Sequence, residues 1–403
     1  MGHPKIKVFF LSFTPPLPSW GSAMTFYRHF IEKTDFEVRV ATDCLDFQKY
    51  DLPYKPFVFQ VPTWWNRIRN TRFHKWVIGL EGIRGEFFLP KQVMAEARRF
   101  QPDVVFTMAG SWNWVALAAL KTARTLGVPL AASFKDWYDY PWLMGHERQR
   151  HAIERRFRRF YRECDLALCT SDGMKEALGP HPNAHVWYPC GAAMPFLERP
   201  QCDAVATSKN TCTVFFGGSL GEWYGPMLED LVTASESAYS NLHFRIFGGL
   251  ENWSKAFHEK AKEAGIFGGR ISFEHLREEA QKADVLLLPM GFDPSSAHIE
   301  STSFKTKFLD YLTFRRPIVV WGPEYCSAVR VAREFDSACC VTSPSAMDCA
   351  KAIDDLRRNP HRRIQLVQNA ERMYQDRFHP DKIHGLLVQE LLAVVEKSKV
   401  KSA

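Results

Sequence analysis

The chain has no apolar run near the ~18 residues that a membrane-spanning helix needs, so no transmembrane segment is expected. Its ten cysteines include no Cys-x-x-Cys pair and no Cys/His cluster at zinc spacing. That excludes a zinc site of ordinary spacing and a dithiol redox motif, and predicts reduced, mostly buried thiols. The Gly-x-Gly-x-x-Gly fingerprint is missing from residues 9–21 and 214–221, which argues against a dinucleotide-dependent oxidoreductase. The N-terminus holds one short strand-like run, residues 6–11, followed by Pro15, Pro16 and Pro18. It does not read as a signal peptide, and a cytosolic location is expected.

What is present is a globular composition, 46% hydrophobic over 403 residues, too long for one hydrophobic core and suited to two domains. Strand-like runs at 6–11, 36–41, 103–108, 129–134, 165–170 and 185–188 alternate with helical patterns such as 94–100, 114–126 and 148–163. This is the rhythm of a parallel sheet covered on both faces. Residues 190–212, with Pro195 and Pro200, interrupt it. A second series has strands at 213–217, 242–248, 271–273, 284–289, 317–321 and 338–341, then a helix over 382–396. The expectation is an α/β chain of two doubly wound, Rossmann-like domains, residues 1–200 and 201–380, with a terminal segment 381–403. Ligands of such sheets sit at the strand C-termini, in the strand-to-helix loops.

The formal charge is +7, unevenly spread: residues 60–100 carry eight Lys/Arg against three Asp/Glu, and residues 145–163 carry seven against three. In the first window cations interleave with large apolar residues: Trp64, Trp65, Arg67, Ile68, Arg69, Arg72, Phe73, Lys75, Trp76 and Val77. The mixture suits a segment lying on an anionic membrane, or equally a basic helix whose aromatics fill the core. No nucleic-acid-binding motif accompanies it, so nucleic acid is not an expected partner.

Residues 286–323, LLLPMGFDPSSAHIESTSFKTKFLDYLTFRRPIVVWGP, hold the densest group of candidate residues. A strand ends at Pro289 and a helix is predicted from about Ser303. Ser303 and Thr306 are its expected hydroxyl caps, at an end whose free N–H groups suit phosphate. Lys307 in the first turn is unfavourable for the helix dipole unless an anion is nearby. Asp310, three residues on, lies on nearly the same face and is suited to a ribose diol; the plain alternative is an intrahelical ion pair.

The run Ser303, Phe304, Lys305, Thr306, Lys307, Phe308, Leu309, Asp310, Tyr311, Leu312, then Arg316, Pro317, Ile318 and Val319, resembles the donor-binding segment of glycosyltransferase family 4 and related GT-B enzymes. The pattern there is Ser-x-Pro-x-Lys-x-x-Glu-Tyr-Leu. Weaker similarity covers KVFFLSFTPPLPSWGSA, PDVVFT, VPLAASFKDW, CDLALCTSDGMKEAL and VWYPCGA in the first half. The resemblance implies a GT-B architecture of two domains across a cleft and a C-terminal helix returning to the first. It also implies a nucleoside-diphosphate sugar as donor, with UDP or GDP as the nucleotide. It assigns the donor to Gly217, Gly218, Ser219, His275, Ser303, Phe304, Thr306, Lys307 and Asp310, and the acceptor side to Gly21, Ser22, Lys135 and Asp139.

Four departures from the pattern bear on mechanism. Lys305 replaces the usual Pro, and Asp310 the usual Glu. The family's Arg and Lys after the first strand of its second domain are absent from FFGGSLGEWYG, so phosphate binding is expected to lean on backbone amides, on Lys307, and on Lys305 or an arginine of the first domain. SFKDWYD supplies Lys135 and Asp136 where the family has a His.

Sugar transfer builds negative charge on the departing diphosphate, which preset donors stabilise in the transition state; Lys307 is the expected donor. Asp293 is the expected acid toward the sugar, or else a turn-initiating residue before Pro294. Asp136 or Asp139 is the candidate general base for an inverting reaction, and Glu300 is a further carboxylate of the donor loop. No Asp-x-Asp pair occurs, so neither a metal nor another cofactor is expected. The function expected is transfer of a sugar to an acceptor hydroxyl in cell-surface polysaccharide or lipid-linked glycan assembly, in the cytosol or peripherally on the inner membrane face. The alternatives are a two-domain binding protein without catalysis, or a transferase acting on a metabolite, protein or DNA.

Overall fold

The computed structural model describes residues 5–19, 21–60, 63–110, 114–137, 147–191, 196, 211–221 and 223–402. The chain forms two compact units, one of residues 1–190, 302–304 and 381–403, the other of residues 191–301 and 305–380.

The first unit is built on seven parallel strands: β1 Ile6–Leu11, β2 Phe36–Thr42, β3 Phe57–Val58, β4 Val104–Ala109, β5 Leu130–Phe134, β6 Leu166–Cys169 and β7 Ala184–Val186. Their order is β3-β2-β1-β4-β5-β6-β7. β1 pairs with β2 through Val8 opposite Val38 and with β4 through Val8 opposite Val104. Val8, Phe9, Phe10 and Leu11 have no exposed surface, as expected of a central parallel strand buried on both faces and therefore apolar along its length. One face packs on Trp114–Leu126, whose Ala-rich surface allows close approach to the sheet. On the other, Phe10, Phe26, Phe30 and Phe106 form a cluster of ring contacts at 4.7 to 5.8 Å.

The terminal helix Pro380–Ser402 belongs to this unit and is pinned by ion pairs of Asp381 with Lys33 (2.7 Å), Glu390 with His185 (3.1 Å) and Lys399 with Asp103 (3.1 Å). Its His384 bridges Asp35 (3.0 Å) and the buried His29, Nδ1 to Nδ1 at 3.1 Å.

The second unit holds β8 Cys212–Gly217, β9 Leu242–Phe247, β10 Val285–Pro289, β11 Ile318–Trp321 and β12 Cys339–Val341, in the order β12-β11-β10-β8-β9. All pairings are parallel. Strand order reverses between β8 and β10, so the loops leaving those strands flank the switch point where such sheets bind ligands.

One predicted strand, 271–273, is not there. Ser272 instead caps the helix Phe273–Gln281, its Oγ accepting the His275 N–H at 3.2 Å, and the local capping signal prevails over a short apolar run. A single parallel bridge, Ile246 to Phe267, stands beside β9.

Among the described residues no helix is long and apolar enough to cross a membrane. Nine cysteines are described, all free, and Cys164, Cys169, Cys190, Cys212, Cys326 and Cys349 are buried.

Candidate functional site

In the second unit the end of β8 is shaped by glycine. The Gly217 N–H donates to the Tyr311 hydroxyl at 3.0 Å, fixing the strand end to the helix Thr306–Leu312. Gly218 adopts φ +144, and a Cβ there would lie 2.3 Å from Lys307 Cε. Gly248, after β9 with φ +155, approaches so closely that a Cβ would sit 1.8 Å from the Gly218 carbonyl oxygen. Only glycine fits either position, and the room it leaves is filled by a lysine side chain.

The Lys307 ammonium lies 3.8 Å from the centroid of the Phe216 ring. Burial, and after it the charge of Lys305, lower its pKa to about 7, so an anion bound here would restore a full positive charge. Two residues earlier, Lys305 pairs with Glu300 at 3.1 Å and lies 5.5 Å from the Tyr224 ring. Glu300 is fully buried and accepts the Tyr224 hydroxyl at 2.7 Å and the Gly291 N–H at 3.1 Å. Burial opposes charge on Lys305, but Tyr224 and Glu300 outweigh it and hold its pKa above the usual lysine value.

The expected helix start is corrected by the structure. Residues Ala297–Thr302 form a separate short helix, and the next begins at Thr306 with Lys305 in the cap position and no side-chain cap bond. Neither Ser303 nor Thr306 caps it, and with seven residues it offers no phosphate-binding terminus of its own. The cause is local: buried Glu300 requires a cation, and pairing with it carries Lys305 to the cap. Ser303 and Phe304 belong to the first unit, where the Ser303 hydroxyl donates to Asp136 at 2.9 Å and the Phe304 ring lies 5.0 Å from that of Tyr188.

The remaining donor candidates are spread along the second unit. Asp310 is half-buried one turn from Lys307, whose charge it favours. Ser219 is exposed and accepts the Gly221 N–H at 3.3 Å. His275 is exposed in the first turn of its helix rather than after a strand. Asp293 is exposed and accepts the Ser295 N–H at 2.7 Å, the turn-initiating geometry; hydrogen bonding from the Ser295 side chain, and after it from its backbone, holds the carboxyl below the usual range.

In the first unit Lys135 follows β5 and is buried, its ammonium 4.0 Å from the Trp187 ring centroid and 3.5 Å from the Trp187 carbonyl. Burial lowers its pKa to about 7. Gly21, with φ +61, opens the helix Gly21–Phe30, and Ser22 follows in its first turn. Asp139 lies outside the described residues. Among the described residues no three His, Cys, Asp or Glu side chains group as metal ligands would.

Sequence reasoning missed Tyr224 and Gly248, and gave Tyr311 no role of its own within the run 303–312. Only Gly248, a glycine directly after an apolar strand, gave a usable signal.

Residues 23–190 match the model of Glycosyltransferase Family 4. No curated protein matches the chain at a significant level. Among solved structures, Anabaena HepE in complex with UDP is similar, with a TM-score of 0.67 and 13% identity, over 96% of this chain and 100% of that one. The sucrose-phosphate synthase of Thermosynechococcus elongatus gives 0.64 and 12%, over 97% and 100%. The α,α-trehalose-6-phosphate synthase of Burkholderia multivorans gives 0.60 and 11%, over 99% and 98%. Residues 23–190 thus resemble Glycosyltransferase Family 4, and the two parallel sheets of the chain carry the GT-B fold of these neighbours.

Proposed function

We propose that the chain transfers a sugar from a nucleoside-diphosphate sugar, with UDP or GDP as the nucleotide, to the hydroxyl of a lipid-linked acceptor. The observation that carries the donor half is Lys307, a desolvated lysine packed on Gly218 at the end of β8 beside the switch point of its sheet. As the glycosidic bond breaks, the charge growing on the diphosphate oxygens is met by the Lys307 ammonium and the nearby backbone amides, fixed before reaction begins. Asp310 is assigned to the ribose and Asp293 to the sugar. Asp136, oriented by the Ser303 hydroxyl, is assigned to the acceptor side with Lys135. The reading involves no metal: the lysines supply the charge that an Asp-x-Asp-bound cation supplies elsewhere.

The acceptor half is supported by residues 68–87 of the first unit. Trp65 and Val77 are buried, but Phe73, Trp76, Leu80 and Phe87 are 50%, 56%, 44% and 68% exposed. Residues 73, 76 and 80 share one helix face, and Arg72, Lys75 and Arg84 accompany them, with Arg72 5.0 Å from the Phe73 ring. An exposed aromatic face edged by cations complements an anionic bilayer, which would bring a lipid-linked saccharide to the enzyme.

The test is a turnover assay with UDP- and GDP-sugars, reading nucleotide release with acceptor lipids in anionic vesicles and with soluble sugars. Release dependent on the lipid acceptor is expected. Release that ignores vesicles and follows a soluble acceptor removes the membrane half, and no release with any sugar nucleotide removes the donor half.

A further inference from the structure

The loop after β8 carries no cation of its own, and residues 305–307 supply two lysines near its two ends. Lys307 packs on Gly218, and Lys305 lies over Tyr224, the first residue of the helix Tyr224–Ala238 that leaves this loop. The simplest role for Lys305 is internal neutralisation of Glu300. Two observations go beyond it. The Lys305 side chain keeps 23% of its surface exposed although its partner carboxylate keeps none. It also stands close enough to Lys307 to depress the latter's pKa, and two neighbouring cations repel each other unless an anion joins them.

We infer that Lys305 is a second diphosphate-binding cation, supplied from the 303–307 segment in place of the missing basic residues of the β8 loop, and that Glu300 with Tyr224 is the device that holds it there. Glu300 is a positioning residue: its carboxylate ties the Tyr224 hydroxyl, the Gly291 amide after β10 and the Lys305 ammonium into one rigid junction. It fixes the lysine's direction, and the lysine meets the phosphate. The inference rests on the nucleoside-diphosphate reading above and adds a residue to it.

Calorimetric titration of UDP and UMP, or of GDP and GMP if the wild type prefers guanine, separates the alternatives in wild type, Lys305→Met, Lys305→Arg and Glu300→Gln. A charge-assisted hydrogen bond lost from the second phosphate lowers diphosphate affinity about 10- to 100-fold. Lys305→Met is expected to show that loss for the diphosphate while monophosphate affinity stays within about twofold. Lys305→Arg should keep most of the preference, and Glu300→Gln should lose part of it. Should Lys305→Met fail to fold because Glu300 is left buried and unpaired, the Lys305→Met/Glu300→Leu double variant removes both charges and keeps the readout. A folded variant with an unchanged diphosphate-to-monophosphate ratio, or an equal loss of both ligands, overturns the inference while leaving the donor reading intact. A wild type that binds no nucleotide overturns both.

Discussion

Each unit buries one lysine over an aromatic ring close to a strand end: Lys135 over Trp187 in the first, Lys307 over Phe216 in the second. Burial brings both to a pKa of about 7. Their surroundings differ. Lys135 is 3% exposed and directed at a backbone carbonyl, whereas Lys307 is half-buried and lies along a glycine loop that a single Cβ would close. A depressed lysine pKa therefore does not by itself mark a nucleotide-phosphate site; access and a backbone cleared of side chains distinguish Lys307 from Lys135.

The largest effect expected from disturbing this contrast comes from Gly248→Ala. Its Cβ would meet the Gly218 carbonyl at 1.8 Å in a backbone conformation that disfavours any side chain, and a stability loss above about 4 kcal/mol is expected from denaturant unfolding. Tolerance of alanine there would mean the floor of the lysine pocket is not rigid.

Lys307→Met should lower sugar-transfer rate by about 100- to 1000-fold while the protein stays folded. Lys135→Met should leave nucleotide affinity unchanged. Equal loss of nucleotide binding in both variants would erase the distinction between the two lysines.

A third expectation concerns pH. Each lysine has a folded pKa of about 7, against an unfolded value of about 10.4, so between these limits the unfolded chain binds more protons. Stability should therefore rise with pH from about 7 toward 10, by at most about 1.4 kcal/mol per unit for each lysine. Bound nucleotide favours the charged form of Lys307, so it should remove that lysine's share of the slope, and nucleotide affinity should itself fall as pH rises above about 7. A nucleotide that leaves the slope intact argues against contact with Lys307. His29 acts in the acid range. Burial, then the charges of His384, Lys135, Arg28 and Lys33, hold its pKa well down in the folded state, so stability is lost as pH drops below the unfolded value of about 6.5.

The smallest effect is at the exposed aromatic face. Trp76→Ser with Phe87→Ser should weaken sedimentation with anionic vesicles without changing transfer to a soluble acceptor analogue, and unchanged sedimentation would leave those rings without the proposed partner.

Much of the fold was legible because it is written in local periodicity: the strands around Ile6, Val104, Cys212 and Val285 and the helix Trp114–Leu126 all follow from unbroken apolar patterns. The 271–273 segment was misread because three apolar and polar residues look alike in a strand and ahead of a capped helix, and only the Ser272 bond decides. Lys307 was legible because a lysine in the first turn of a helix is anomalous unless an anion is near. The Glu300, Lys305 and Tyr224 junction was not, since Tyr224 is 76 residues from Glu300 and no periodicity links them. Whether aromatics at 63–91 face inward or outward was likewise undecided in sequence: Trp65 is buried and packs on Phe88 at 4.6 Å, while Trp76, on the following helix, is 56% exposed.

The most direct test of the account is thermal unfolding of wild type and Lys307→Ala in the presence of UDP, GDP, ADP, dTDP and CMP. At 100 times its dissociation constant a ligand adds about 2.7 kcal/mol of stability. The account predicts that UDP or GDP raises the melting temperature of the wild type and raises that of Lys307→Ala far less. A folded wild type that no nucleotide stabilises, or a variant stabilised as strongly as the wild type, would contradict it.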